Sequence, residues 1–132
     1  MSYLEDILRL RSFDLPWKQL SGKNILITGA TGLIGASIVD VLMNVADSNF
    51  KLYALGRNRE RALRRFKDYL EDPRFHLIIL DVLDPLPIDV PFNYVIYAAS
   101  GANPIVYASD PVGVIKTNIC GLDNIFTYGL SH

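Results

Sequence analysis

The 132-residue sequence predicts an α/β fold, in which a parallel β-sheet is covered by helices on both faces. Two observations support this prediction. Short apolar runs of strand length alternate with segments whose apolar residues recur every three or four positions, which is typical of β-α-β units. In addition, 50% of the residues are hydrophobic, which suits a sheet buried on both faces. A chain of this length is expected to form one domain with a substantial core.

The first predicted β-α unit lies in residues 24–42. The run Ile25–Ile27 has the length and the branched side chains of a buried strand, and a helix is predicted to begin near Leu33. Three glycines at intervals of three stand between strand and helix. The predicted inner face of the helix is an apolar stripe formed by Ile34, Ile38, Val41, Leu42 and Val45.

The glycines predict an anion site at this junction. Gly29 can adopt backbone angles that are closed to residues with a Cβ, Gly32 lets the main chain approach a ligand, and Gly35 lets the helix pack close to the strand. Free amides and the helix dipole then favour a phosphate or pyrophosphate. No Lys-Ser or Lys-Thr follows Gly35, which excludes the other common phosphate loop. The candidate cofactor-binding residues here are Gly29, Ala30, Thr31, Gly32, Leu33, Ile34 and Gly35.

Residues 1–23 are predicted to form a separate N-terminal arm before the Rossmann-type domain of residues 24–132. A capping box at Ser2–Glu5 predicts a short helix, and Leu15 is expected to be extended because a proline follows it. The large side chains of Phe13 and Trp17 favour an arm that packs against the edge of the domain. An arm that binds a partner is the alternative.

The second predicted strand, Lys51–Leu55, ends at a position that selects the cofactor in folds of this kind. An acidic residue there binds the ribose 2′-hydroxyl of NAD, whereas an arginine can accommodate the 2′-phosphate of NADP. This sequence has Arg57 and Asn58, so NADP is slightly favoured over NAD, with Arg59 or Arg61 as possible helpers.

A helix is predicted to follow the second strand. Its predicted inner stripe is Ala62, Leu63, Phe66, Tyr69 and Leu70. The basic residues from Arg61 onward, which are Arg61, Arg64, Arg65 and Lys67, are expected to form mainly its solvated face. Arg57 lies at the strand end and is therefore the favoured ribose-binding residue.

Two further strands are predicted. His76–Leu80 is followed by Asp81, which is either a ligand contact or only a turn residue. Three prolines make residues 83–92 a surface connection without helix or central strand. The fourth strand, Tyr94–Ala99, ends on small residues that let a ligand lie over the backbone, so Ala98, Ala99 and Ser100 are candidate cofactor contacts.

Asp110-Pro111 predicts the start of the last helix, with aspartate as N-cap and proline in the first helical position. Asn118 lies in the middle of this helix, where asparagine is more often solvated or locally bonded than catalytic. The predicted inner stripe is Val114, Ile115, Ile119, Leu122, Ile125 and Phe126.

Composition excludes several classes of function. The net charge is −1, which gives no general attraction to nucleic acid or anionic membranes. Cys120 is the single cysteine, and His76 and His132 share no ligand spacing, so no metal site is predicted. The N-terminus does not resemble a signal peptide, and no apolar stretch approaches the roughly 18 residues of a spanning helix. We therefore expect a cytoplasmic protein that binds neither membrane nor nucleic acid.

Several motifs carry a family resemblance. The loop Thr28–Gly35 reads Thr-Gly-x-x-Gly-x-x-Gly and resembles the cofactor loop of extended short-chain dehydrogenases/reductases, the NAD-dependent epimerase/dehydratase family. The segment Ala98–Pro104, the pair Asp110-Pro111 and the segment Lys116–Asn124 resemble enzymes that act on nucleotide sugars. The sequence looks most like UDP-glucuronate decarboxylases and dTDP-glucose 4,6-dehydratases, over residue 22 to about residue 130.

The resemblance implies a fold and a function. It implies a sheet of order 3-2-1-4 with the pyrophosphate between strands 1 and 4. It further implies that Asp81 and Val82 border the adenine, that Asn118 supports the active-site region, and that the Asp110 helix contributes to a homodimer. The implied substrate is a nucleotide sugar, which such enzymes convert through a transient 4-keto sugar.

The sequence departs from the family pattern at two places. Gly56-Arg57 stands where decarboxylases of this kind usually carry an acidic residue. The catalytic Tyr-x-x-x-Lys pair is absent, because none of the seven tyrosines has a lysine four positions later. Without this pair the chain lacks its apparatus for proton transfer. We therefore expect the N-terminal part of a longer enzyme, inactive alone. The alternative is a non-catalytic NADP-binding regulatory module.

Overall fold

A computed structural model of the chain describes residues 2–45, 49–101 and 103–132, apart from the side chain of Val45. Four strands, β1 (Asn24–Thr28), β2 (Lys51–Gly56), β3 (Phe75–Ile79) and β4 (Tyr94–Tyr97), form one parallel sheet. Its order is β3-β2-β1-β4, which confirms the predicted topology. The strand order reverses between β1 and β4, so a crevice opens at the carboxyl ends of these strands. Ala102, part of the predicted motif 98–104, lies outside the described residues.

Six helices connect and cover the strands in the described ranges: α1 (Tyr3–Arg9), α2 (Leu33–Val45), α3 (Arg59–Arg65), α4 (Pro104–Ser109), α5 (Pro111–Lys116) and α6 (Leu122–Ser131). Short 3₁₀ turns span Leu10–Ser12 and Trp17–Leu20. A wider π-helical turn, Thr117–Gly121, joins α5 to α6. The predicted capping box of α1 is confirmed: Ser2 and Glu5 exchange side-chain to backbone hydrogen bonds.

The sequence analysis did not predict α4. The signal was nevertheless present, because Asn103 caps this helix and Pro104 is its first residue. This is the same pair of features that predicted α5 from Asp110 and Pro111.

The core has one layer on each face of the sheet. Ile25 and Ile27 of β1 pack with α2 on one face, and Leu26 packs with Ile125 of α6 on the other. The connection 83–92 has no helix or strand, as predicted. Its apolar side chains nevertheless contribute to the second layer, namely Leu86, Ile88, Val90 and Phe92.

The predicted inner faces of the helices need correction. In α2, Ile34 is 68% exposed, while Ala36, Val39 and Met43 are buried. The close approach of Gly35 to the glycine loop turns this side of the helix toward the sheet, so Ile34 faces solvent. The helix after β2 ends at Arg65, before the last residues of its predicted stripe. Of that stripe, only Ala62 and Phe66 are fully buried.

The last helix also differs from the prediction. Val114 and Ile125 are buried, but Ile115, Ile119 and Phe126 are at least half exposed. The π turn changes the helical register between α5 and α6, so the predicted residues do not lie on one inner face.

A buried polar cluster ties the arm to α2 and α3, and it corrects the assignment of Arg65 to the solvated face. Asp40 is 4% exposed and forms an ion pair with Arg65. Tyr3 and Tyr69 donate hydrogen bonds of 2.6 and 2.8 Å to the same carboxylate. Burial alone would raise the pKa of Asp40, but these three donors outweigh it and lower the pKa below its usual value. Burial and the hydrogen bond to Asp40 raise the pKa of Tyr69 to about 12.

Candidate functional site

Packing of the backbone explains two of the three loop glycines. Gly29 has a φ of 61°, and a Cβ there would lie 2.4 Å from the carbonyl oxygen of Ala98. A Cβ on Gly35 would lie 2.4 Å from the carbonyl oxygen of Gly29. The conformational roles predicted for both residues are confirmed, since either side chain would push the loop off its neighbouring backbone.

Packing does not explain Gly32 in the same way. A Cβ there would meet only the carbonyl oxygen of Gly29, at 3.2 Å, within the part of the chain that the structure describes. The space beside Gly32 opens into the cleft described below. The first backbone bond of the following helix runs from Ala36 to Gly32, so the amides of Leu33 to Gly35 precede the helical ladder.

A cleft of about 250 Å³ lies at the carboxyl ends of the strands. Its floor is nearly free of side chains because glycines and alanines follow β1 and β4. Nine of the predicted cofactor residues line it: Gly29, Thr31, Gly32, Arg57, Asp81, Val82, Ala98, Ala99 and Ser100. Residues far apart in sequence therefore meet at the predicted crevice.

Other predicted residues do not line this cleft. Ala30 is fully buried and its amide bonds to Leu55, while Leu33 and Ile34 are exposed and Gly35 is buried beneath the loop. Asn58 accepts a 2.9 Å hydrogen bond from the Arg61 amide and caps α3. Asn118 is exposed on the π turn and does not border the cleft.

The structure adds cleft residues that the sequence analysis did not select. Thr117 borders the cleft instead of its neighbour Asn118, and the sequence offered no sign of the π turn that decides between them. The others lie at or just after a strand end, or in the segment around the Asp-Pro start of α5. They are Leu55, Gly56, Leu80, Gly101, Val106, Asp110, Gly113 and Val114. Arg61, named above as a possible helper of Arg57, also lines the cleft.

The charged residues that line the cleft include two arginines and Asp81. Arg57 is 81% exposed and lies 4.0 Å from a carboxylate oxygen of Asp81. The other oxygen of Asp81 accepts a 3.0 Å bond from the Leu83 amide, so this residue both closes a turn and borders the cleft. Arg61 donates a 3.1 Å bond to the carbonyl of Thr31, which places a second guanidinium against the glycine loop.

A second, open groove of about 540 Å³ adjoins the cleft and shares Thr31, Gly32 and Arg61 with it. Arg64 and Arg65 line its far side, and Tyr3 of the arm also borders it. Arg64 and Arg65 each pair with a carboxylate, so the positive charge on this side of the groove is partly offset.

The chain is similar in sequence to known proteins. A family model described as "NAD dependent epimerase/dehydratase family" matches residues 25–132. UDP-glucuronic acid decarboxylase 6 of Arabidopsis thaliana is 36% identical over 112 residues, and UDP-glucuronic acid decarboxylase 3 of the same plant is 38% identical over 108. These matches cover 80% and 76% of this chain but only 29% and 28% of the relatives. The chain therefore spans less than a third of the length of these curated relatives.

Solved structures show the same fold. Pen from Bacillus thuringiensis superposes with a TM-score of 0.69 at 21% identity, covering 85% of this chain and 35% of that chain. NADPH-bound carbonyl reductase from chicken fatty liver superposes with a TM-score of 0.66 at 23% identity, covering 91% and 53%. Within the described ranges, no helix has both the length and the apolar character needed to cross a bilayer.

Proposed function

Because the chain belongs to the NAD dependent epimerase/dehydratase family, we propose that its cleft binds a nicotinamide dinucleotide, as part of an enzyme that acts on nucleotide sugars. The observation that supports this most strongly is the bare backbone at Gly32. This glycine opens onto the cleft at a helix N-terminus, and packing alone does not require it.

We assign parts of the dinucleotide to parts of the cleft. The pyrophosphate lies on the loop from Gly29 to Gly35, and the adenine lies beside Asp81 and Val82. The strand end at Ala98, Ala99 and Ser100 borders the remaining ribose and phosphate region. Asn58 and Asn118 stay predictions, since their side chains do not line the cleft.

The reaction that we propose for the whole protein proceeds through a 4-keto sugar, for which a nicotinamide dinucleotide, when bound, would supply hydride transfer. This chain contributes binding and orientation. Its sequence has no Tyr-x-x-x-Lys pair, so we expect it to bind the dinucleotide without turnover when it is alone. A cytoplasmic location stays a prediction.

Calorimetric titration of the 132-residue chain with NAD and with NADP tests the binding proposal. Saturable one-to-one binding of either dinucleotide supports it. If neither binds, the assignment of the cleft is wrong. If the full-length protein binds NADP but does not convert nucleotide sugars, the result would instead support the alternative of a regulatory module.

Arg57→Ala is expected to weaken NADP more than NAD. Arg57 and Arg61 border the end of β2, where the adenosine ribose is expected, and the arginine groove adjoins it. Because Arg57 is 81% exposed, we expect a loss of about 1 kcal/mol for NADP, near the low end for a charged hydrogen bond. Calorimetry with both dinucleotides measures it. Lys67→Ala, at an exposed basic residue that lines neither the cleft nor the groove, is the control, and equal losses for NAD and NADP would contradict the role of Arg57.

We also propose a homodimer through the exposed apolar face of α5 and α6, which carries Ile115, Ile119 and Phe126. Phe126→Asp is expected to convert dimers to monomers, because it places a charge in an apolar contact. Sedimentation velocity measures the mass. Leu4→Asp, on an exposed apolar residue of the arm, is the control. A monomeric wild-type chain, or a variant that dimerises normally, would contradict this surface.

A further inference from the structure

The helix that runs from Pro111 to Ser131 contains one wide turn, and this turn lies beside the cleft. At Thr117–Gly121 the backbone keeps helical angles but follows the π pattern. A π turn accommodates one more residue than an α turn and leaves a carbonyl without its usual partner. Such turns often occur at functional sites.

Tyr97 of β4 supplies a partner for this region. Its hydroxyl donates a 2.5 Å hydrogen bond to the carbonyl oxygen of Thr117, across the space between sheet and helix. Burial, and then the nearby Asp81 carboxylate, raise the pKa of Tyr97, so the hydroxyl stays protonated and can donate at neutral pH.

The contact between Tyr97 and Thr117 can form because Gly121 has no side chain. A Cβ on Gly121 would lie 2.3 Å from the Tyr97 hydroxyl and 2.8 Å from a methyl group of Val82. The glycine is buried and lies in the π turn itself. Tyr97, Gly121 and the turn therefore fit together as one unit.

The two halves of the helix contact different parts of the structure. After the turn, the Asn124 amide donates hydrogen bonds of 3.0 and 2.6 Å to the carbonyls of Val82 and Asp84, which attaches α6 to the connection after β3. Val114, before the turn, and Thr117, its first residue, line the cleft. Loss of one residue from the turn would rotate one half against the other by about 100° and shift it by about 1.5 Å.

We propose that Tyr97 is a positioning residue of the dinucleotide cleft, which holds the π turn and thereby keeps Thr117 and Val114 on the cleft wall. This inference rests on the proposed function, since it takes the cleft to be the dinucleotide site. The phenol itself is directed at the helix backbone and acts through the wall that the turn presents.

The test is Tyr97→Phe, which removes one oxygen and keeps the ring. We expect the affinity for the dinucleotide that the wild-type chain binds more tightly to fall about fivefold to tenfold in calorimetry. The resonance of the Thr117 carbonyl carbon is expected to shift in the same variant. Tyr94→Phe, an exposed tyrosine on the same strand, is the matched control and should change neither quantity.

A chain that carries two substitutions distinguishes a positioning role of Tyr97 from general destabilisation of the fold. If Tyr97 acts through the wall, its loss should have little further effect on affinity in a chain that already carries Thr117→Val. Full additivity of the two substitutions would overturn the proposal, as would wild-type affinity in Tyr97→Phe. If the wild-type chain binds neither dinucleotide, the proposed function fails instead, which is a different result from normal binding by both chains.

Discussion

Replacing Gly32 with valine is expected to abolish dinucleotide binding, with an affinity loss of at least about 100-fold, equivalent to about 2.8 kcal/mol. The valine side chain would occupy the space through which the pyrophosphate approaches the loop amides. Among the described residues its Cβ would come within 4 Å of the Gly29 carbonyl oxygen alone, at 3.2 Å, so a shift of a few tenths of an ångström should accommodate it. Calorimetry on the folded variant, with folding checked by circular dichroism, measures the effect.

Substitutions at two other glycines are the controls for this experiment. Gly129→Val lies on α6, where no described neighbour outside the helix would come within 4 Å of its Cβ, and it should leave binding unchanged. Gly35→Val should instead lower the melting temperature, because its Cβ would collide with the backbone of Gly29 and Ala30. Normal dinucleotide affinity in Gly32→Val would refute the placement of the pyrophosphate on this loop.

Asp40→Ala is expected to destabilise the chain by about 3 kcal/mol. The substitution leaves the guanidinium of Arg65 and the hydroxyl of Tyr69 without the carboxylate that they share, in a place where solvent replaces it poorly. It also removes one of the contacts that hold the arm, since Tyr3 bonds to the same group. Urea unfolding followed by circular dichroism measures the loss.

The effect of Asp40 should depend on pH in a defined direction. Its pKa is lowered in the folded chain, so its contribution is present above the pKa of an unfolded aspartate, about 3.9, and is lost as the pH falls through the lower folded value. The difference between wild type and Asp40→Ala should therefore shrink below about pH 4. Asp68→Ala, an exposed aspartate just after α3, is the control and should cost little at any pH. A constant difference down to pH 2 would contradict this account.

Much of the fold could be predicted because local patterns determine it. The apolar runs around Ile25 and Leu52 fix the strands, since a segment of that length and composition is stable only between two covered faces. Asp110-Pro111 fixed a helix start through capping, which depends on neighbouring residues alone. Nine cleft residues were also predictable, because strand ends in a parallel sheet meet at one edge.

The remainder depends on contacts between distant segments, which periodicity does not encode. Ile34 and Ile119 have the helical spacing of inner residues, yet both are exposed, because the close packing at Gly35 and the π turn set the rotation of their helices. The spacing of Arg65 in the sequence predicts a solvated position, but the fold places Asp40, 25 positions earlier, beside it.

The sequence by itself determined the strands and the glycine loop, since both follow from local backbone preference, and its resemblance to a known family implied the sheet order. Only the tertiary structure decided that Thr117 rather than Asn118 borders the cleft. Which of the two faces the cleft depends on how the helix packs against a sheet formed by distant segments, and no pattern within the helix itself records that packing.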